Sequence, residues 1–180
     1  MPLVKLLCAA FVALLFFASP VYAWTQSSRA DEATAWLAQR EAYVHCSTVE
    51  ETENDAVLQV ALAYVEKGKN YTVYRYGICE TIDHPENYLP PEVALAVLVM
   101  THESGHLRDW SWSEGRTERW ALRHFVVATQ ITLQYTEFQA RSLLRYAVAE
   151  HNALPEDYRP PGCSAPWVDA TQHLRDCTAR

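Results

Sequence analysis

The chain is poor in positive charge. Its 15 lysines and arginines face 22 acidic residues, a formal charge of -7 over 180 residues. A nucleic-acid binder needs a basic face to meet phosphates, and adsorption to an anionic membrane needs the same. Neither partner fits this chain. A long apolar run is lacking too. The stretch Leu6 to Phe17 has 12 residues, whereas a spanning helix takes roughly 20. There is no internal repeat, low-complexity tract or clear linker. Cys-x-x-Cys spacing is also missing, which argues against a zinc ribbon.

What is present reads as one globular domain. Hydrophobic residues make up 49% and charged residues 21%, ordinary values for a chain long enough to bury a core. Lys5, the apolar run and Val21-Tyr22-Ala23 form the pattern of an export signal cleaved after Ala23. Residues 24–180 are then the single mature domain, secreted or extracytoplasmic, with no membrane association after cleavage. Cleavage removes Cys8 and leaves Cys46, Cys79, Cys163 and Cys177. Four cysteines in an exported chain suggest two disulfides, and pairing of sequence neighbours favours Cys46–Cys79 and Cys163–Cys177.

The expected fold is mainly α (α+β), a compact helical domain with one small β element and a disulfide-tied irregular tail. Ser28 can cap a helix reaching about His45. A second helix is expected from about Glu50 to Glu66, with Val57, Val60, Ala61, Tyr64 and Val65 as its apolar face. Tyr71 to Tyr76 is aromatic and β-branched, a strand signature. Pro91 and Glu92 suit a helix start, and Val93 to Met100 is apolar all round, as in a buried helix. Further helices are expected from about Arg116 to Tyr135 and from about Phe138 to Ala153. The tail from Leu154 carries Pro155, Pro160, Pro161 and Pro166.

The buried helix ends in His102-Glu103-Ser104-Gly105-His106. Histidines at i and i+4 share a helix face and can reach one metal ion. Glu103 projects beside that ion, placed to take a proton from water. Ser104 and Gly105 are small and leave room for a packed neighbour. Catalytic zinc usually has a third protein ligand. The metzincin pattern would need glycine at 109 and histidine at 112, where this chain has Asp109 and Trp112. Glu118 is the expected third ligand, because it shares a helix face with Ala121, Leu122, Phe125 and Thr129. Glu114, one turn earlier, is the alternate; Asp109 and His124 are weaker candidates.

HESGH followed by Glu118-Arg-Trp-Ala121 resembles the gluzincin metallopeptidases, in the small form where two helices make most of the catalytic core. Val99 to Leu107, Glu114-x-x-x-Glu118 and Tyr158-Arg-Pro-Pro-Gly-Cys163 also resemble short exported actinobacterial proteins. The likeness covers roughly Cys79 to Asp169. It implies Zn2+ on His102, His106 and Glu118, with Glu103 as general base. It departs at Arg108, where such helices usually carry an apolar residue. An oxyanion donor, often tyrosine or histidine in gluzincins, could be His124, Tyr146, His151 or Tyr158.

Two functions are therefore expected to compete. One is a secreted zinc metallopeptidase acting on a peptide or protein substrate, with a strand near Tyr71 to Tyr76 as a backbone-pairing edge. The other is an exported zinc-binding interaction protein without turnover. Little chain is left for an extended cleft. Trp110, Trp112 and Trp120 are read first as packing between the helices and the loop, and second as a substrate wall.

Overall fold

The computed structural model describes residues 27–153 and Tyr158. The expected export signal, the Cys163–Cys177 pair and the tail apart from Tyr158 lie outside the described residues. The fold is mainly helical with a small three-stranded sheet, as the composition and patterning suggest. In order, the elements are α1 (Ser28–Ala38), β1 (Tyr43–Cys46), α2 (Val49–Asn54), β2 (Ala63–Val65), β3 (Tyr71–Tyr74), α3 (Ile78–Asp83), α4 (Pro90–Arg108), α5 (Glu114–Leu133) and α6 (Glu137–Ala153). A 3-10 turn, Pro85–Asn87, precedes α4.

The N-terminal half departs most from the periodicity. Ser27, not Ser28, caps α1, its hydroxyl accepting from the Ala30 N–H at 3.1 Å. Gln39 then turns left-handed at φ 54 and ends the helix. The chain is therefore free to enter β1, so the helix does not reach His45. The long helix expected from Glu50 breaks at Asp55. The Asp55 carboxylate accepts from the backbone N–H groups of Val57 and Leu58 at 2.8 and 3.2 Å, a local turn that competes with helix continuation. Val60, assigned to the buried face, is 87% exposed. Ala63, Tyr64 and Val65 instead pair with a strand.

The sheet order is β1-β3-β2. β1 runs parallel to β3, with Tyr43 opposite Tyr71 and Cys46 opposite Tyr74. β2 runs antiparallel to β3, with Ala63 opposite Tyr74 and Val65 opposite Thr72. The Tyr71 strand is thus central, paired on both sides, and is no free edge. β1 and β2 hold the two edges. A disulfide joins Cys46, at the end of β1, to Cys79 in α3.

Helix α4 is the centre of the domain. Pro90 begins it, and the Glu92 carboxylate accepts from the Leu89 N–H at 2.8 Å. Val93, Ala94, Ala96, Val97, Leu98 and Met100 are all buried, because α1, α5 and α6 pack around them. No helix among the described residues is long and apolar enough to cross a membrane. At the far end of α4, Arg40 donates to the Leu107 carbonyl at 3.1 Å. Arg108 donates to the Leu37 carbonyl on α1 at 3.3 Å. Its polarity therefore serves the α1–α4 contact.

Candidate metal centre

The C-terminal turns of α4 run antiparallel into the first turns of α5 through a five-residue connection, 109–113. Gly105 makes the approach of the two helices close. A Cβ built there would lie 2.8 Å from Thr117 Cγ2 and 3.0 Å from Trp120 Cε3, inside van der Waals contact. Only glycine leaves the second helix room. The approach brings the start of α5 over the imidazoles of α4.

Three atoms converge there. Nε2 of His102 lies 3.1 Å from Nε2 of His106 and 3.0 Å from Oε2 of Glu114. The third side of the triangle, His106 Nε2 to Glu114 Oε2, is 3.3 Å. Tetrahedral ligands bonded to one zinc at about 2.0–2.1 Å would lie roughly 3.3–3.4 Å apart. Among the described residues, His102, His106 and Glu114 are the group able to hold a metal ion. The donor set, two imidazoles and one carboxylate, suits zinc.

Glu118 lies on the other side of His102. Its Oε2 accepts from Nδ1 of His102 at 2.8 Å, and its Oε1 accepts from Nδ1 of His151 at 3.0 Å. Both oxygens face away from the Nε2 triangle. The geometry thus puts the alternate ligand, Glu114, where Glu118 was expected. The inward helix face picked out Glu118 correctly as buried, at 2% exposure. Burial takes it past the Nε2 atoms to the back of the imidazole, whereas Glu114, one turn nearer the connection, stays level with them. With Nδ1–H committed to Glu118, the Nε2 lone pair of His102 points into the triangle.

The electrostatics follow. Burial pushes the His102 pKa down, but hydrogen bonds to Glu114 and Glu118 outweigh it and raise the value to about 10 before any metal binds. Contact with His102 and His106 holds the Glu114 carboxyl well below its usual range. Burial would raise Glu118, yet the bonds from His102 and His151 bring it down. Glu103 moves the other way. Burial raises it, against the pull of His102 and His106.

A cleft of about 710 Å³ opens over this centre. Glu103, His102, His106, Glu114 and Glu118 lie in its wall, with Leu95, Leu98 and Val99 from α4 and the segment 60–67, which contains β2. A cleft does form, therefore, and the segment expected to be helical builds one side of it. No known protein family, curated protein or solved structure matches the chain.

The remaining candidates separate cleanly. Asp109 accepts from the N–H and hydroxyl of Ser111 at 2.9 and 2.6 Å, within the connection. His124 stacks on Trp120 at 4.3 Å and donates to the Trp120 carbonyl at 2.8 Å. Tyr146 belongs to a separate shallow hollow near Tyr88 and Phe138. His151 is buried behind Glu118. Of the four residues considered as oxyanion donors, Tyr158 borders the cleft, its ring 5.9 Å from that of His102. Trp120 packs between the helices as expected, but Trp110 and Trp112 also line the cleft.

Proposed function

We propose that this protein is an exported zinc-dependent peptidase, in which His102, His106 and Glu114 hold the metal and Glu103 is the general base. The observation that carries the reading is the triangle of Nε2, Nε2 and Oε2 atoms, 3.0–3.3 Å on a side, beside a buried, cleft-facing carboxylate. A zinc ion held there supplies Lewis acidity, polarising a carbonyl and making water acidic near neutral pH.

The chain's own groups do the rest. Glu103 takes the proton of the attacking water and returns it to the leaving amine. The Tyr158 hydroxyl is the donor for the oxygen that gains charge. Because β2 is an edge strand at the cleft, a substrate backbone can add alongside it. The Cys46–Cys79 disulfide supports an oxidising, extracytoplasmic location, in keeping with the export signal read in residues 1–23.

The test uses residues 24–180 produced with disulfides formed. About one zinc per chain is expected, with hydrolysis of a peptide library. Glu103→Gln keeps the metal and loses at least about a hundredfold in rate. A parent protein that binds no zinc ends the reading. One that binds zinc but cleaves no peptide is the interaction protein instead.

A further inference from the structure

His151 is a buried titratable group that the proposed reaction leaves without a task. It sits near the end of α6, 0% exposed, one turn beyond Ala147 on the buried stripe of that helix. Its Nδ1 donates to Oε1 of Glu118 at 3.0 Å. Glu118 gives its other oxygen to Nδ1 of His102 at 2.8 Å. Three helices, α4, α5 and α6, therefore meet on one carboxylate that is itself 2% exposed. A charge so far from water must have its lone pairs satisfied by protein donors. Each histidine satisfies one oxygen, so together they fix the plane of the carboxylate.

That plane matters to the imidazole in front of it. A carboxylate bonded on one side alone can turn about its last torsion, which is soft, and take the Nδ1–H of His102 with it. Bonded on both sides, it holds the imidazole still. We infer that His151 is a positioning residue for the metal centre: from α6 it clamps Glu118, which fixes the ring plane of His102 and the direction of its Nε2 lone pair. The inference rests on the zinc reading above. It assigns to α6, which supplies no ligand, a share in metal geometry.

Packing alone is the competing explanation, and two variants separate them. His151→Phe keeps a buried ring and removes the donor. His151→Asn offers an amide N–H in the place of Nδ1 and fills less space. Zinc affinity would be read by chelator competition, and ligand geometry by the visible bands of the cobalt-substituted protein. His151→Phe should bind zinc roughly tenfold more weakly, the low end for groups behind a ligand, with shifted cobalt bands. His151→Asn should restore both toward the parent. Parent-like affinity and bands in His151→Phe overturn the inference, as does equal impairment of the two variants.

A measurement on the parent protein covers the case in which the variants do not fold. The Nδ1–H resonance of His151 should move when zinc is added to the metal-free protein; an unmoved resonance overturns the clamp. A parent that binds no zinc at all sinks the peptidase reading and this inference together. A zinc-binding parent with an indifferent His151 sinks the inference alone.

Discussion

Glu118 meets His102 at Nδ1, 2.8 Å away, on the opposite side of the ring from the atom that faces His106 and Glu114. One imidazole thus carries a carboxylate at each nitrogen. The two glutamates sit one turn apart on α5, yet they meet different nitrogens of that ring, so on the zinc reading one is a ligand and the other orients one.

Substitution should resolve those tasks. Glu114→Ala removes the proposed third ligand and should abolish stoichiometric zinc. Glu118→Gln keeps the shape but disturbs the Nδ1 contacts, and should weaken zinc by about ten- to a hundredfold. Zinc titration of both variants decides it. Full zinc in Glu114→Ala, with loss in Glu118→Ala, would reverse the assignment.

Acidity gives a second expectation. Before metal binds, the His102 pKa is raised to about 10, against an ordinary value of 6.5. A folded value above the unfolded one contributes stability that is complete below the unfolded value and fades as pH rises through the folded one. The chelator-treated protein should therefore lose stability between about pH 6.5 and 10. On the zinc reading the metal takes the place of the Nε2 proton, so the loaded protein should lack that slope. Urea unfolding across this range, with and without chelator, checks it. Parallel curves would count against a proton and a metal sharing one site.

Gly105 offers a packing experiment. Alanine there gains about 1 kcal/mol of helix propensity but drives a methyl to 2.8 Å from Thr117 Cγ2. Overpacking of that kind typically costs about 1–3 kcal/mol, so net destabilisation is expected. Zinc should also bind more weakly, because Glu114 moves with α5. Adding Thr117→Ser removes the methyl that is struck and should recover part of both losses. Additive effects in this double-mutant cycle would mean that the two residues are not in contact.

The disulfide should matter for stability and little for the site. Cys46 and Cys79 are 33 residues apart, and closing such a loop restricts the unfolded chain by about 3–4 kcal/mol. Cys46→Ser with Cys79→Ser should lower Tm by about 10 °C while zinc stoichiometry is kept at low temperature. Loss of zinc in the folded double variant would tie the disulfide to the centre directly.

Long helices and the motif were legible in the sequence because their signals are local. Val93 to Met100 is apolar all round and leads straight into HESGH; α5 and α6 begin and end within a few residues of where the period places them. The short strands were not legible. β1 and β2 are four and three residues long, and Ala61, Tyr64 and Val65 fit a helical stripe equally well until the Asp55 turn breaks it. Nor could spacing say which glutamate faces the Nε2 atoms. Glu114 and Glu118 occupy one face of α5, and which of them reaches Nε2 depends on how near α5 comes to α4. Gly105 sets that distance, an effect seen only once the helices are packed. His151 lies 33 residues beyond Glu118 and carries no local mark except its place on the apolar stripe.

All three ligand candidates fall between positions 102 and 114, within one helical hairpin. Such a hairpin costs little loop entropy to close and has low contact order, so it can assemble early. The rest of the domain need not be in place before the donors meet. On the zinc reading, metal capture would belong to the order of folding as well as to the finished protein: zinc present during refolding should pair α4 with α5 first and speed the acquisition of the remaining structure.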